Sequence, residues 1–291
     1  PRPSTTHKSP QPRSPSKVEV EETKCGHHSP IRKVTTTYRK YTNTYNLITV
    51  NFIDTPAHSH KECEEEEFVR SLRELVDLEN RLESAKEKLA FRPDFTIHDA
   101  FRIFDFSGTG RIGPIEIKDT YTSFRVYLTL EEAKLILSRF DRYKDERLRF
   151  DEFSDMFTPI DSVAGNALDD RSHKFPHGYY FTPDILDPIT REDFIHVLRL
   201  TLEVENKVED IRQKHSSRPF FNRTDAFEAI NRFGDNYITK EDMATLLEKH
   251  RFFATNKELS SLMDRFDKNK DGRISYSEFV DEITPHSPTR H

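Results

Sequence analysis

Asp267-Lys268-Asn269-Lys270-Asp271-Gly272-Arg273-Ile274-Ser275-Tyr276-Ser277-Glu278 decides how the rest of the chain is read. The stretch fits the pattern D-x-[DN]-x-[DN]-G-x5-E at every position. The spacing has a physical reason. A hard cation takes about seven oxygens at roughly 2.3–2.6 Å, and alternate residues of a tight loop point their side chains inward. Phe266 and Phe279 bracket the stretch from the flanking helices.

The stretch is one corner of a larger regularity. Sliding the sequence by 126 residues superposes 66–159 on 192–285 without a gap, at about 30 identities. Glu66, Phe68, Leu72, Arg73, Glu79, Asn80 and Glu83 fall on Glu192, Phe194, Leu198, Arg199, Glu205, Asn206 and Glu209. Arg92-Pro93 falls on Arg218-Pro219, Asp99-Ala100-Phe101 on Asp225-Ala226-Phe227, and Arg139-Phe140-Asp141 on Arg265-Phe266-Asp267. Thr158-Pro159 closes the first unit as Thr284-Pro285 closes the second. The body is a tandem duplication: one unit over 62–159, a connector over 160–190, a second unit over 191–285 and a tail over 286–291. Each unit opens on a long helix. In the first, Phe68, Leu75, Leu78, Leu82, Ala85 and Leu89 fall on one stripe between about Glu64 and Leu89, and the helix is read as packing on its own unit. About three heptads are too few for a coiled coil. Thr129 with Glu132, Thr190 with Asp193 and Thr255 with Glu258 read as capping boxes at helix starts. The connector aromatics in HKFPHGYYFTPD (173–184) read as lying against the units.

The stretch 267–278 with its flanks resembles the EF-hand, as in calmodulin and centrin. The resemblance implies Ca2+ and a ligand set. Asp267, Asn269 and Asp271 supply side-chain oxygens, Arg273 its carbonyl, Ser275 an oxygen directly or through water, and Glu278 two oxygens. Gly272 permits the sharp turn, and Ile274 pairs with its counterpart in a neighbouring loop. By register there are three more loops, at 105–116, 141–152 and 231–242, each pair of hands spaced about 36 residues as in EF-hands that share a two-stranded ribbon. Loop 105–116 offers Asp105, Ser107, Thr109, Arg111 and Glu116, with only two carboxylates, and is read as a weak second site. Loop 141–152 has Tyr143 and Arg149 where oxygens are needed and Glu146 for the turn glycine. Loop 231–242 has Phe233, Asn236 and the short Asp242 at the third, sixth and twelfth positions. Both are read as silent. All four keep an aliphatic residue at the ribbon position (Ile112, Leu148, Ile238, Ile274), so the fold is kept where chelation is lost. The expected architecture is all-α with short β-ribbons: two tandem EF-hand pairs, each preceded by a long helix, behind an extended N-terminal arm.

The arm differs in kind. Of a formal net charge of −6, residues 1–61 carry about +6 and the remaining 230 about −12. Up to about Pro30 the arm is Pro, Ser, Thr, Lys and Arg, unable to bury enough surface to offset its ordering entropy. From 31 to 56 basic, aromatic and β-branched residues interleave, which reads as an extended docking segment. Arg32, Lys33, Tyr38, Arg39, Lys40, Tyr41 and Tyr45 are its candidate partner-binding residues. The form S-P-x-[K/R] recurs at Ser14, Ser29 and Ser287, where phosphate from a proline-directed kinase would add negative charge. Cys25, His27, His28, His58, His60 and Cys63 are zinc-capable residue types at spacings that match no established finger.

Composition excludes several classes. The chain is 34 % hydrophobic with a mean hydropathy of −0.79, and no run approaches the roughly 18 apolar residues of a spanning helix. Two cysteines make a disulfide framework an unsuitable reading, and eight glycines argue against Gly-rich nucleotide folds. No nucleophile elbow, phosphate loop or HExxH is present, so no enzyme is expected, and an acidic body argues against nucleic acid. The helix-led units with their R-P-x-F and R-F-D signatures resemble repeated EF-hand proteins of ciliary and flagellar axonemes over 64–285. That resemblance implies a structural docking component of a microtubule assembly in the cytoplasmic cytoskeleton. Its partners would be the acidic tubulin lattice and neighbouring axonemal proteins, with no membrane. The alternatives are a calcium sensor that grips a target helix, against which three methionines speak, and a calcium-dependent regulatory subunit of a phosphatase or kinase.

Overall fold

A computed structural model describes residues 33–41, 44–53, 60–169, 171, 186–231 and 234–287. The readings made for the segment up to Arg32, for the zinc-capable residues Cys25, His27, His28 and His58, for Ser14 and Ser29, for the connector aromatics and for Phe233 lie outside them. The chain divides into an N-terminal segment over 1–63 and a body from Glu64 onward.

In the N-terminal segment β1 (Lys33–Tyr41) pairs antiparallel with β2 (Thr44–Ile53), Lys40 opposite Tyr45 and Arg39 opposite Asn46, with an irregularity in register between Thr37 and Tyr38. The segment is extended as expected, and it is paired with itself. Lys33, Tyr38, Arg39, Lys40 and Tyr41 lie on β1 and Tyr45 on β2.

The body is built on α1 (His60–Ala90), α2 (Ile97–Phe104), α3 (Pro114–Ser123), α4 (Leu130–Phe140) and α5 (Phe150–Phe157). After α6 (Ser162–Asp169), in the stretch read as a connector, come α7 (Pro188–Ser216), α8 (Arg223–Ile230), α9 (Lys240–Lys249), α10 (Asn256–Phe266) and α11 (Tyr276–Ile283). Two-residue strands β3 (Tyr237–Ile238) and β4 (Ile274–Ser275) pair Ile238 with Ile274, and Ile112 bridges Leu148 in the same way. The helices α2 to α5 recur as α8 to α11 with both ends displaced by 126 residues. The duplication extends to backbone detail. Arg125 and Arg251 are left-handed at φ 59° and 60°, and so are the fourth residues of all four loops, Gly108, Lys144, Gly234 and Lys270. The fold is all-α with short β-ribbons.

Local signals place most helix starts. Thr129 and Thr255 accept from the amides of Glu132 and Glu258, and each glutamate returns a bond to the cap amide, as expected. Thr190 is a correction. The helix begins earlier, with Asp187 capping the Ile189 amide and Pro188 at the first helical position, where its fixed φ and missing N–H suit the helix. Thr190 is buried inside α7 and donates to Asp94 Oδ1 at 2.6 Å, while Asp193 binds Arg92 and Lys88.

The packing of the two long helices is a second correction. The C-terminal half of α1 lies on its own unit, where Glu83 accepts from the Ile160 amide and Lys86 donates to the Asp155 carbonyl. Its N-terminal half crosses to the other unit, where Phe68 meets Phe221 and Phe279 at centroid distances of 6.2 and 6.0 Å. The second long helix does the same in reverse: Phe194 of α7 meets Phe95, Phe124 and Phe157 of the first unit at 6.0, 5.1 and 5.2 Å. The ion pairs reciprocate as well. Lys88 and Arg92 hold Asp193, and Lys214 and Arg218, 126 residues on, hold Glu67. The halves meet as two copies meet across an isologous dimer interface, within one chain.

Candidate metal centre and the clamp between the halves

Loop 267–278 hangs between α10 and α11, and the rings that bracket it, Phe266 and Phe279, stack at 5.9 Å with 17° between planes. The loop is organised around its first carboxylate. Asp267 accepts from the amides of Asp271 at 3.2 Å and Gly272 at 2.7 Å, and Asn269 Oδ1 accepts from the Asp271 amide at 2.8 Å. Gly272 sits at φ 83°, the left-handed turn expected of it. Glu278 faces the loop with one oxygen, accepting from the Asn269 amide at 3.2 Å. Its other oxygen caps α11 by accepting from the amide and hydroxyl of Ser275.

The donor set fits a hard cation. Burial raises the Asp267 carboxyl above its ordinary range, amides of Gly272 and Asp271 oppose this, and the carboxylates of Asp271 and Glu278 push it further up. A cation among them would relieve that crowding. Among the described residues no three His, Cys, Asp or Glu side chains are drawn into a ready-made cage. In this loop the reason is visible: half of Glu278 is engaged as a helix cap, and three of the expected ligands are an amide, a backbone carbonyl and a hydroxyl.

The weak candidate loop has the same frame. Asp105 accepts from the amides of Thr109 at 2.9 Å and Gly110 at 2.7 Å, Ser107 Oγ reaches Asp105 at 3.3 Å, and Glu116 accepts from the Gly113 amide. The Thr109 hydroxyl donates to the Arg111 carbonyl at 3.0 Å, so two expected donors satisfy each other. Loop 141–152 keeps carboxylates at 141, 145 and 152 but supplies its own cation: Arg149 lies 3.1 Å from Asp145 and over the Tyr143 ring at 4.4 Å. In loop 231–242 the Asn231 side chain accepts from the Gly234 amide, and Asp242 Oδ2 caps α9 while Oδ1 has no hydrogen-bond partner.

Reading the sequence missed the cluster that joins the halves. Glu79 of α1 and Glu205 of α7 are equivalent residues, as are Arg139 of α4 and Arg265 of α10. Arg139 binds Glu79 at 2.7 Å and Glu205 at 2.9 Å, and Arg265 binds the same two at 2.6 and 3.0 Å. All four are buried, Arg265 completely. Glu282 of α11 adds a third carboxylate to Arg265 at 2.7 Å and binds Arg212 at 2.6 Å. Burial raises the Glu205 carboxyl, yet Arg265 and Arg139 outweigh it and hold it at about 2. The cluster also touches the metal loop: Lys268, its second residue, donates to the Arg139 carbonyl at 3.0 Å and lies 3.3 Å from Glu282. The available signal was a glutamate at 79, on the apolar stripe between Leu75 and Leu82, repeated at 205.

A family model described as an EF-hand domain pair matches residues 94–158 and 224–284. The chain is also similar to the polcalcin Cup a 4 of Hesperocyparis arizonica, 32 % identical over 88 residues, which cover 30 % of this chain and 48 % of that protein. The chain thus spans about half the length of the curated relative it matches.

Proposed function

We propose, on the match of 94–158 and 224–284 to an EF-hand domain-pair model and on the likeness to a polcalcin, that this chain is a non-enzymatic, calcium-binding structural component. It would dock its paired body within a microtubule-based assembly of the ciliary or flagellar axoneme, through the basic segment at 32–45. Calcium would be held by Asp267, Asn269, Asp271, Ser275 and Glu278 with the Arg273 carbonyl. Bound there, it supplies positive charge that ties the entering helix α10 to the exiting helix α11.

One observation carries the structural reading over the sensor reading. A sensor presents an apolar face to a partner helix when calcium opens it. Here Phe194 of α7 already lies on Phe95, Phe124 and Phe157, and Phe68 of α1 on Phe221 and Phe279. Each pair has its helix supplied from within, locked by buried ion pairs. The docking segment is supported by charge: its four cations Arg32, Lys33, Arg39 and Lys40 suit an acidic lattice.

Co-sedimentation with microtubules assembled from purified tubulin tests the reading. The full chain pellets with and without calcium, and the variant Arg32→Glu, Lys33→Glu, Arg39→Glu, Lys40→Glu stays in the supernatant. Failure of the full chain to pellet, or equal pelleting of the variant, refutes the tether. Calcium-dependent binding of an apolar dye refutes the closed structural role in favour of the sensor.

A further inference from the structure

Beyond that role, the geometry points to Ser287 as a phosphorylation site for a proline-directed kinase, where the phosphate unlatches the end of the second unit from α7. Ser287-Pro288-Thr289-Arg290 has the S-P-x-R form. What lifts it above a cheap pattern is where the hydroxyl lies. Ser287 Oγ donates to Glu209 Oε1 at 2.8 Å, and the Ser287 amide donates to the same oxygen at 3.1 Å. The His286 amide donates to Glu209 Oε2 at 3.2 Å, and Gln213 Nε2 donates to the Ser287 carbonyl at 2.8 Å. Glu209 is completely buried, and Arg212 lies 3.5 Å from it. His286 extends the latch to the first half of the body: Nε2 donates to the Asp281 carbonyl and Nδ1 lies 3.1 Å from Ser138 Oγ of α4.

The reaction uses ATP brought by the kinase. Ser287 Oγ attacks the γ-phosphorus, the Oγ–P bond forms, the bond from that phosphorus to the β–γ bridging oxygen breaks, ADP leaves, and the hydroxyl proton passes to the kinase's base. The product has lost the O–H that Glu209 accepts. It carries about −1.5 to −2 charge at pH 7 within hydrogen-bond reach of a carboxylate. Glu209 is held ionised: burial raises its carboxyl, but the hydrogen bonds from Gln213, Ser287 and His286 outweigh that. Arg212 is not free to compensate, since it already binds both the carbonyl and the carboxylate of Glu282.

The first unit supplies an internal control. At the position equivalent to Ser287 it carries an acid, Asp161, and the preceding amide of Ile160 bonds Glu83 as His286 bonds Glu209. The Asp161 carboxylate turns away from Glu83 and accepts from the amides of Val163 and Ala164, starting α6. An anion at this position leaves the glutamate.

The test treats the full chain with a purified proline-directed kinase and ATP, locates phosphate by mass spectrometry and follows amide hydrogen exchange over 282–287. Phosphate on Ser287 with exchange at 286 and 287 faster by about tenfold or more is expected. Ser287→Ala, which removes one bond and adds no charge, gives a much smaller change. In Glu209→Gln, where the opposing charge is gone, phosphorylation accelerates exchange less. No phosphate on Ser287 under conditions where a peptide of 281–291 is modified overturns the proposal. So does phosphorylation that leaves exchange unchanged or slows it.

Discussion

Loops 141–152 and 267–278 occupy the same place in the two halves, and among the ligand and turn positions they part at three. Both hold a leading aspartate that accepts from the fifth and sixth amides of the loop, and both close on a glutamate that caps the exiting helix. Where the second half has Asn269, Gly272 and Ser275, the first has Tyr143, Glu146 and Arg149. The backbone survives all three changes, with Glu146 at φ 58° where Gly272 stands at 83°. The frame of the loop is thus held by amide-to-carboxylate bonds that need no metal. The ligand positions are a separable layer: Arg149 beside Asp145 provides as a side chain the charge that the other loop would take from a bound cation.

The two halves also share one clamp unequally, and there the largest effect lies. Arg265 satisfies Glu79, Glu205 and Glu282, whereas Arg139 satisfies Glu79 and Glu205. Breaking a buried pair by removing one partner costs about 3–5 kcal/mol, because a charge is left without compensation. Arg265→Met keeps most of the volume and takes a cation from three carboxylates; Arg139→Met takes one from two. Urea denaturation should show both variants destabilised within that range, Arg265→Met more. Equal losses, or a loss under about 1 kcal/mol for either, would break the asymmetry. Next comes the metal. Glu278→Gln should lower calcium affinity about 100-fold or more by calorimetric titration, with folding little changed because glutamine also serves a capping box. Glu152→Gln should leave the measured calcium binding as it was. A metal site lost from Glu152→Gln instead would reverse the assignment of the loops.

What the sequence makes legible here is what is local. The loops, the ribbon residues and most helix starts follow from spacing within a dozen residues, and the duplication from one ungapped shift of 126. Asp187-Pro188 and Thr190-x-x-Asp193 are both start signals, and the choice fell to tertiary contacts, since Thr190 and Asp193 are taken up by Asp94, Arg92 and Lys88 of the other half. The pairing of 33–41 with 44–53 was not visible because its residues read equally as a lone extended segment, and the two-residue link Thr42-Asn43 lacks a glycine. The exchange of the long helices leaves no mark on periodicity: the stripe on α1 is the same whichever unit it covers. In loop 267–278 spacing names each expected ligand, but it does not show that one oxygen of Glu278 is engaged as the cap of α11.

The halves differ again at the foot of the long helices, where His215 stands in place of Leu89. His215 Nε2 donates to Ser71 Oγ at 2.9 Å, its ring stacks on Phe221 at 4.7 Å, and Nδ1 is buried without a partner. Burial, then the cations Arg218 and Lys214, push its pKa down to about 4 from 6.5. The folded state therefore resists a proton that the unfolded state takes. Stability is complete above pH 6.5 and falls as pH drops towards 4, by at most about 1.4 kcal/mol per unit. Depressed carboxylates such as Glu205 act lower, below their ordinary 4.5. His215→Leu, which copies the first half, should flatten the stability profile between pH 6.5 and 4.5; an unchanged slope would mean the proton goes elsewhere.

The smallest effect returns to the loops. A residue with a side chain costs about 1–2 kcal/mol in the left-handed region, while replacing it with glycine loosens the unfolded chain by about 0.4–1 kcal/mol. At position 146 the first term wins, and Glu146→Gly should stabilise the protein by about 0.5 kcal/mol. Asn236, at φ 66° in the same position of loop 231–242, tolerates that conformation better, so Asn236→Gly should be near neutral. The reverse change, Gly272→Glu, should cost about 1 kcal/mol through torsion alone, because a Cβ there would meet nothing within 4 Å. Thermal denaturation of the three variants separates backbone strain from contact. If Glu146→Gly lowers the midpoint, the glutamate side chain itself holds loop 141–152, and the frame is less independent of its side chains than the amide bonds to Asp141 make it.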